Sequence, residues 1–364
     1  MSGFTFLMAG GGTGGHVIPA LAVARELRRR GHEPVFVGTR QGMEARLAPA
    51  AGFPIEWIEI GGLKRVGARQ ALRTLFQLPA SALRARLIAR KRGAAGVFSM
   101  GGYVAGPVML AARWLKLPAI LMEPNAMPGL TNRRMARFAD RSLISFEQAR
   151  PYFPAGRCEL TGLPVREEFF AIPQKPREEI LTVLITGGSR GSRTLNLAAR
   201  GLWPLLVRSG MKIRLIHQCG KEPHAELADE FKATGLAGEL REFIDDMPAA
   251  FAAADLVVCR SGAGAVAELA AAGKPSILVP FPFAADQHQL RNAEAMRNSG
   301  AARLLTDPEM SGARLLDEIL SMTKDQDTLR KMGAAARVHA RPAAARRAAD
   351  LLIGLAEGRS RNVS

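Results

Sequence analysis

Cysteine, aromatic residues and long apolar runs are all scarce in this sequence. Its three cysteines, Cys158, Cys219 and Cys259, are scattered along 364 residues, which excludes a disulfide framework or a cysteine-based metal cluster. The amino terminus lacks the basic start and apolar core of a secretory signal peptide. No apolar run approaches the roughly 20 residues that cross a bilayer, and we therefore expect any membrane contact to be peripheral.

Acidic residues are absent from one long segment. Between Ile60 and Met122 there is no Asp or Glu. The same segment carries the cations Lys64, Arg65, Arg69, Arg73, Arg84, Arg86, Arg90, Lys91, Arg92, Arg113 and Lys116. Leucines and Trp114 are interleaved with them, and this mixture over residues 64–116 favours adsorption to an anionic membrane surface. A solvated basic face is the alternative. A nucleic-acid surface would need stacking aromatics or a recognisable module, and neither is evident.

The overall composition is that of a basic globular protein. The formal net charge of +17 predicts an anionic partner or surface. Hydrophobic residues make up 48 % of the chain but aromatics only 6 %, so the cores must consist mainly of Ala, Leu, Val and Ile. A chain of 364 residues exceeds one ordinary core, which predicts two domains.

Short apolar runs alternate with helical stretches along the chain. The strand-like runs lie at 4–9, 34–38, 96–100, 119–122, 180–186, 256–259 and 276–279. Turn-forming residues cluster between the two halves, which places the domains at 1–162 and 163–341. The last helix, at about 342–364, is expected to pack back on the first domain. The sequence thus predicts the α/β class, with two Rossmann-like open-sheet domains that face each other across a cleft.

The segment Gly10-x-Gly12-x-x-Gly15 follows a predicted strand and precedes a predicted helix at 17–30. This pattern formally matches the dinucleotide-binding fingerprint. A nicotinamide site also needs an acidic residue at the end of the second strand, where this sequence reads Val37-Gly38-Thr39-Arg40. The missing acid removes most support for a nicotinamide cofactor and leaves only an NADP variant that uses Arg40.

Two further glycine-rich loops, Gly187 to Ser192 and Ser261 to Gly264, stand in the same strand–loop–helix setting. Each exposes backbone N–H groups at a helix amino terminus, and glycine lets an oxygen-rich ligand come close. Loops from both halves can therefore converge on one diphosphate. The alternative, for any single loop, is a tight turn.

Two ionisable side chains accompany these loops. His16 stands at a helix start, where the dipole disfavours a protonated imidazole and suits a general base. A purely structural hydrogen bond to the loop backbone fits His16 equally well. Glu268 lies in the first turns of the helix after Gly264, as an acceptor-only carboxylate that can bind both hydroxyls of a ribose. Its competing role is to complement the helix dipole, and residue spacing leaves both choices open.

Several motifs occur in order along the chain. They are Gly11-Gly12-Thr13-Gly14-Gly15-His16, Met100-Gly101-Gly102-Tyr103, Glu123-Pro124-Asn125, Gly162-Leu163-Pro164-Val165-Arg166, Gly187-Gly188-Ser189-Arg190-Gly191, Phe243-Ile244-Asp245-Asp246-Met247, Arg260-Ser261-Gly262-Ala263 and Gln289 with Asn292-Ala293. Together they resemble the MurG family, the peripheral membrane N-acetylglucosaminyltransferases of bacterial peptidoglycan synthesis, over essentially the whole chain.

This resemblance implies the GT-B architecture, with an amino-terminal acceptor domain and a carboxy-terminal donor domain. It implies that GlcNAc passes from UDP-GlcNAc to the C4 hydroxyl of MurNAc in lipid I, with inversion at the anomeric carbon, to form lipid II. The expected location is the cytoplasmic face of the cell membrane. Proteins of cell-wall synthesis or division are expected as further partners.

The resemblance also assigns roles on the acceptor side. His16 matches a family histidine that deprotonates the acceptor or orients the sugar. Thr13, Gly14 and Gly15 match the loop beside sugar and acceptor, and Asn125 matches a residue that holds the GlcNAc hydroxyls.

On the donor side, Arg166 matches a donor contact and Ser189 matches a donor contact at the phosphates. Gln289 matches a GlcNAc contact, and Ile244 matches a uracil contact. Glu268 matches the ribose carboxylate and is counted with His16 as catalytic. The helix start beneath the diphosphate and sugar comprises Ala263, Gly264, Ala265, Val266 and Ala267.

Some positions depart from the family pattern. Pro124 and Arg190 stand where glutamine is common, and Gly264 and Ala265 stand where hydroxyl residues are frequent, so phosphate contacts there would use the backbone. The GT-B resemblance implies no cofactor and no obligatory bound metal ion, and a carboxylate pair for a metal-held diphosphate is not evident. Mg²⁺ as a loose counter-ion is the alternative. The rival functions are a related GT-B transferase with another acceptor, a UDP-GlcNAc epimerase and a non-enzymatic nucleic-acid binder.

Overall fold

A computed structural model describes residues 3–61, 68–176, 178–188 and 191–361. The chain divides into two compact units. Unit 1 comprises Met1–Val165 and Arg341–Ser364, and unit 2 comprises Arg166–Ala340. The division therefore falls three residues after the predicted boundary at 162, and the chain returns to unit 1 at Arg341, one residue before the predicted position. Within the described ranges, no helix is both long enough and apolar enough to cross a membrane.

The strands and helices follow each other in regular alternation. The strands are β1 (Thr5–Gly10), β2 (Glu33–Gly38), β3 (Ile55–Trp57), β4 (Ala94–Gly101), β5 (Ala119–Glu123), β6 (Arg141–Ile144), β7 (Cys158–Leu160), β8 (Leu181–Thr186), β9 (Ile213–Gln218), β10 (Ala237–Arg241), β11 (Leu256–Cys259), β12 (Ser276–Leu278) and β13 (Ala302–Leu304). The helices are α1 (Gly14–Arg29), α2 (Glu44–Ala50), α3 (Ala68–Lys91), α4 (Ala105–Trp114), α5 (Leu130–Met135), α6 (Arg193–Ser209), α7 (His224–Ala233), α8 (Met247–Ala253), α9 (Ala263–Ala272), α10 (His288–Asn298), α11 (Gly312–Thr323), α12 (Gln326–Val338) and α13 (Ala344–Arg361).

Unit 1 is built on a parallel sheet with the strand order β3-β2-β1-β4-β5-β6-β7. Its central strands are apolar on both faces: residues 6–10 of β1 are all buried. That pattern is expected of a parallel sheet covered by helices on both sides. Val104 just before α4, Val108 of α4 and Ile88 of α3 belong to the core against one face.

Unit 2 repeats this plan with the order β10-β9-β8-β11-β12-β13, again with every pair parallel. Its core joins β8 and β11 to the buried side chains of α6, among them Leu202, Trp203 and Leu206. The α/β prediction of two Rossmann-like open sheets is therefore confirmed.

The last helix, α13, belongs to unit 1. Its Leu352 is fully buried, and Arg347 binds Glu159 of β7 through two N–O contacts of 2.7 and 3.0 Å. Asp350 also pairs with Arg30 beyond the end of α1. The helix runs to Arg361 rather than ending near Gly358, because a glycine inside a helix lowers its stability without stopping it.

Candidate functional site

In each sheet the strand order reverses beside the first strand of the unit. The reversal lies between β1 and β4 in unit 1, and between β8 and β11 in unit 2. Ligands of open α/β sheets bind outside the carboxyl ends of the strands at this switch point. The glycine-rich segments follow these four strands, so each unit places its loops where a ligand is expected.

The loop after β1 is shaped by backbone constraints. Gly12 has φ +94°, a conformation that favours glycine, and a Cβ there would lie 2.8 Å from the Tyr103 ring. Thr13 is the amino-terminal cap of α1, which begins at Gly14 rather than at the predicted residue 17. Gly14 and Gly15 therefore lie in the first turn, whose N–H groups have no partner within a helix.

His16 lies in the same turn and contacts the loop backbone. Its Nδ1 is 3.3 Å from the carbonyl oxygen of Gly11. A carbonyl only accepts, so this hydrogen bond puts the proton on Nδ1 and the lone pair of the neutral ring on Nε2. The loop after β4 approaches at the same point, since a Cβ on Gly102 would lie 3.0 Å from the Gly11 oxygen. The hydrogen bond to the loop backbone that a purely structural role of His16 predicts is thus present, and it selects the tautomer that suits a base.

A buried carboxylate that the sequence analysis did not single out holds this loop in place. Glu44, at the start of α2, is fully buried and accepts hydrogen bonds from the Gly12 N–H at 2.8 Å and from the Thr39 N–H at 2.9 Å. The Thr39 hydroxyl adds a third bond at 3.2 Å. A Cβ at Gly11, Gly38 or Gly42 would lie 2.8, 2.3 or 2.0 Å from a Glu44 atom. Glycines therefore make the space that Glu44 fills.

A second buried carboxylate shapes the loop of Asn125. Glu123, at the end of β5, accepts from the backbone N–H and the side-chain Nδ2 of Asn125, at 2.9 and 3.1 Å. It also accepts from the Gly129 N–H and from Asn132 Nδ2. Burial raises the pKa of Glu123, and these hydrogen bonds oppose the rise. The predicted sugar contact Asn125 is thus held by a carboxylate that belongs to the same motif.

In unit 2 the glycine loop after β8 leads into α6. Gly188 has φ +81°, and its carbonyl accepts from the Gly191 N–H at 2.8 Å. Ser192 caps the helix by accepting from the Leu195 N–H. A Cβ on Gly187 would lie 2.3 Å from the Ser192 nitrogen, so the turn requires glycine there. The predicted phosphate ligand Ser189 lies outside the described residues.

Behind this loop, strand β9 ends in two buried polar side chains. His217 contacts Asn196 Oδ1 through Nε2 at 3.1 Å, and Asn196 Nδ2 donates to the Cys219 carbonyl at 2.9 Å. Burial lowers the pKa of His217 to about 4, so it is neutral near pH 7. Gln218, its neighbour, makes contacts with both adjoining loops.

The start of α9 presents backbone rather than side chains. Gly262 caps the helix without a side-chain hydrogen bond, and Cβ atoms built at Gly262 or Gly264 would meet nothing within 4 Å. Val266 is only 3 % exposed and packs inward. The predicted segment 263–267 can therefore bind a ligand mainly through its N–H groups, as expected at a helix amino terminus.

Glu268 lies in the second turn of α9 and is largely surrounded by protein atoms while keeping some exposed surface. Burial raises the pKa of this carboxyl to about 7, and the Arg166 guanidinium opposes the rise. No donor among the residues that the structure describes reaches its carboxylate. Burial raises the pKa of Cys259 to about 12, and the negative charge of Glu268 contributes to this rise. Within the described residues, Glu268 is thus an acceptor without a donor.

The remaining predicted donor residues lie at the same edge of the unit 2 sheet. Gln289 accepts from the Phe281 N–H at 3.0 Å, and its carbonyl accepts from the Ser261 hydroxyl at 2.8 Å. Ile244 is 3 % exposed, so a base could reach only its backbone, whereas the neighbouring Phe243 is 53 % exposed. The hydrogen bonds of Gln289 therefore join the loop after β11 to the segment after β12 before any ligand binds.

Other polar features are separate from these loops. A cavity of about 480 Å³, lined by Lys175, Thr182, Arg214 and Gly238 among others, lies at the amino ends of β8, β9 and β10. This is the edge opposite to the glycine loops, where ligands of such sheets do not usually bind. Within the described part of the chain, no three His, Cys, Asp or Glu side chains form a group that could hold a metal ion.

Known proteins share both halves of this arrangement. Residues 6–144 match the glycosyltransferase family 28 N-terminal domain, and residues 182–349 match the glycosyltransferase family 28 C-terminal domain. A curated relative from Solibacter usitatus is 59 % identical over 96 % of this chain and 95 % of its own length. Its name is UDP-N-acetylglucosamine--N-acetylmuramyl-(pentapeptide) pyrophosphoryl-undecaprenol N-acetylglucosamine transferase. This chain belongs to the MurG family of glycosyltransferases.

Two further comparisons agree with this assignment. A relative of the same name from Nitrosococcus oceani is 43 % identical over 97 % of this chain and 99 % of its own. The crystal structure of Acinetobacter baumannii MurG covers 96 % of this chain and 99 % of its own, with a TM-score of 0.82 and 32 % identity. The resemblance drawn from the sequence motifs, the GT-B fold and the glycosyltransferase class are thereby confirmed.

Proposed function

We propose that this MurG-family chain transfers N-acetylglucosamine from UDP-GlcNAc to the C4 hydroxyl of MurNAc in lipid I and so forms lipid II. The names of its relatives give the donor, the acceptor and the transferred sugar, and groups in the two units suit the chemistry of this transfer. Donor binding is assigned to unit 2 and acceptor activation to unit 1.

The single observation that carries the donor assignment is the carboxylate of Glu268. It is largely buried, it has no donor among the residues described, and it follows a helix start that presents bare N–H groups. A ribose supplies the two hydroxyl donors that such a carboxylate accepts. Donation to the ionised form would lower the pKa of Glu268 from about 7, so donor binding should release protons near neutral pH.

The leaving diphosphate is assigned to the amino termini of α6 and α9. The aligned N–H groups and the positive end of each helix dipole stabilise negative charge. Arg166, whose charge reaches Glu268, adds a cation in the same unit. These groups stabilise the charge that develops on UDP as the bond between the sugar and phosphate breaks.

The acceptor assignment rests on His16. With its proton on Nδ1 toward the Gly11 carbonyl, the ring offers the Nε2 lone pair as a base. In the proposed step Nε2 takes the proton of the C4 hydroxyl while that oxygen forms a bond to C1 of GlcNAc. The C1–O bond to the diphosphate breaks, and its electron pair leaves with UDP. One displacement of this kind inverts the anomeric carbon.

The sugar contacts remain the assigned Asn125, Gln289 and the loop residues Thr13, Gly14 and Gly15. Thr13 and Gly15 are exposed at the start of α1. Glu123 fixes the amide of Asn125, and the Phe281 N–H fixes the amide of Gln289. Amides held in this way bind sugar hydroxyls at a lower entropic cost, because their rotamers are already set.

The surface of α3 and α4 supports binding to an anionic membrane, where the lipid-linked acceptor would be found. Leu83, Leu87 and Trp114 are 52 %, 58 % and 49 % exposed. Exposed cations accompany them on the same two helices or just beyond, namely Arg84, Arg90, Lys91, Arg113 and Lys116. Residues 62–67 and the side chains of 68–76 lie outside the described part of this segment.

The reaction itself tests the proposal. Purified protein incubated with UDP-GlcNAc and a lipid I analogue should release UDP and give the disaccharide product. UDP release should require the acceptor. Folded protein that makes no product, or that isomerises UDP-GlcNAc without acceptor, would contradict the proposal, and the second result would favour the epimerase alternative. A panel of other glycolipid acceptors separates related transferases.

A further inference from the structure

Gln218, at the carboxyl end of β9, lies between two loops that belong to different strands. We infer that Gln218 is a positioning residue that fixes the spacing of these loops and thereby couples binding of the nucleotide base to binding of its diphosphate. The inference rests on the proposed function, since it assumes that unit 2 binds a uridine diphosphate donor.

The sheet register places Gln218 between the ends of its neighbours. Its partner on β8 is Thr186, and its partner on β10 is Arg241. One to two residues beyond these partners come Gly188, in the glycine loop, and Glu242, which precedes the exposed ring of Phe243. A side chain at the end of β9 can therefore reach both loops.

Both polar atoms of the Gln218 amide make hydrogen bonds in this position. Its Nε2 donates to the Gly188 carbonyl at 2.9 Å and to the Glu242 carbonyl at 3.2 Å. Its Oε1 accepts from the Thr186 hydroxyl at 2.7 Å, and that hydroxyl in turn accepts from the Gly188 N–H at 3.3 Å. The side chain is only 2 % exposed, so water does not replace these bonds. One amide thus joins the glycine loop to the loop of Phe243.

A link of this kind matters to a ligand that touches both loops. The glycine loop precedes a helix amino terminus and suits phosphate, while the Phe243 ring and the adjacent backbone suit a planar base. If the loops are already spaced correctly, the second contact costs little further ordering. Loss of the link should therefore weaken a ligand that spans both loops more than it weakens either fragment.

The test compares the dissociation constants of UDP, uridine and inorganic pyrophosphate by calorimetry. Gln218→Met keeps the length of the side chain and removes all three hydrogen bonds. UDP binding should weaken about tenfold, while uridine and pyrophosphate should change about threefold or less, since one lost buried hydrogen bond corresponds to roughly a tenfold change. The ratio of the uridine and UDP dissociation constants should fall accordingly.

Lys274→Met is the matched control. Lys274 is also buried in unit 2, and its Nζ likewise donates to two carbonyls, those of Ala254 at 2.7 Å and Ala252 at 3.5 Å. These carbonyls precede β11 and lie away from the glycine loops. Lys274→Met should change stability but leave the ratio of the dissociation constants unchanged. A general structural loss would instead lower this ratio in both variants alike.

Each outcome separates the two claims. If the wild-type protein binds no UDP, the proposed function fails. If it binds UDP and folded Gln218→Met keeps the wild-type ratio, the coupling role of Gln218 is overturned. Should Gln218→Met fail to fold, Thr186→Val decides, because it removes only the hydroxyl that orients Oε1. A smaller fall in the ratio supports the inference, and an unchanged ratio overturns it.

Discussion

Buried carboxylates in the two units have opposite surroundings. In unit 1, Glu44 and Glu123 each accept at least three hydrogen bonds from nearby backbone and side-chain donors. In unit 2, Glu268 accepts none from the residues described, and burial raises its pKa to about 7. A satisfied carboxylate holds a loop in place, whereas an unsatisfied one has its acceptors left for a ligand. The difference lies in the donors, since all three residues are glutamates in or beside a functional loop.

The largest expected effect separates chemistry in unit 1 from donor binding in unit 2. His16→Ala should lower kcat about 1000-fold, because it removes the base that takes the acceptor proton. UDP affinity should change less than about twofold, because donor contacts are assigned to unit 2. Steady-state kinetics and calorimetry on the same preparation measure both values. A variant with full kcat and weaker UDP binding would assign His16 to the donor instead.

The next effect tests whether Glu44 acts as scaffold. Glu44→Ala should lower the free energy of unfolding by about 3 kcal/mol, because three buried donors lose their acceptor. Urea denaturation measures this value. The control is Glu59→Ala, a change at an exposed glutamate of the same unit, which should shift stability by about 0.5 kcal/mol or less. Equal effects of the two changes would show that Glu44 does not organise the loop.

Replacement of Glu268, unlike that of Glu44, should raise stability and weaken ligand binding. Because its folded-state pKa is raised from 4.5 to about 7, folding takes up a proton between these values. The stability that this provides is present below pH 4.5 and is lost as the pH rises through 7. Glu268→Gln should therefore stabilise the protein by about 2 kcal/mol at pH 8, allowing for partial exposure, and by little at pH 5.

The same substitution should weaken UDP about tenfold at pH 8, because a carboxamide accepts fewer bonds from a ribose. Thermal unfolding at the two pH values and calorimetry with UDP measure the pair of effects. Lower stability at pH 8 together with unchanged UDP affinity would mean that Glu268 is structural, as Glu44 and Glu123 are.

The smallest effect concerns the surfaces of the two units. Arg84→Gln combined with Arg90→Gln should weaken binding to vesicles with anionic lipid about tenfold, since each cation near such a surface contributes about 1 kcal/mol at most. The control pair Arg208→Gln and Arg303→Gln removes the same charge from exposed positions of unit 2 and should leave vesicle binding unchanged. Equal losses from both pairs would indicate a response to net charge alone.

Much of the fold could be predicted from the chain. The buried strands β1, β5, β8 and β11 are continuous apolar runs, and each was placed to within about a residue. The predicted start of α1 is wrong by three residues, because the helix opens with two glycines, which carry no helical periodicity. The strands β3 and β13 have three residues each and contain no continuous apolar run, so the sequence does not predict them.

Some residues of the candidate site could likewise be predicted from the sequence, and others could not. His16 and Glu268 could be singled out because a residue type and a glycine loop stand together in sequence. Glu44 could not, since it is 32 residues from the Gly12 N–H that it accepts, and α2 carries no motif. Gln218 is 30 residues from Gly188 and 24 from Glu242, and only the sheet brings these three together. The one available signal for Glu44 was the group of glycines around it.

The sequence alone determined the chemical types: glycine loops that expose N–H groups, a histidine at one helix start, a glutamate at another and an acid-free basic segment. These are local properties, because backbone freedom, side-chain chemistry and charge need no distant partner. Only the tertiary structure decided which carboxylates are satisfied by the described residues and which is not. Hydrogen-bond partners in a parallel sheet come from separate strands and crossover loops. The same residue type therefore holds a loop in place as Glu44 and is a ligand candidate as Glu268.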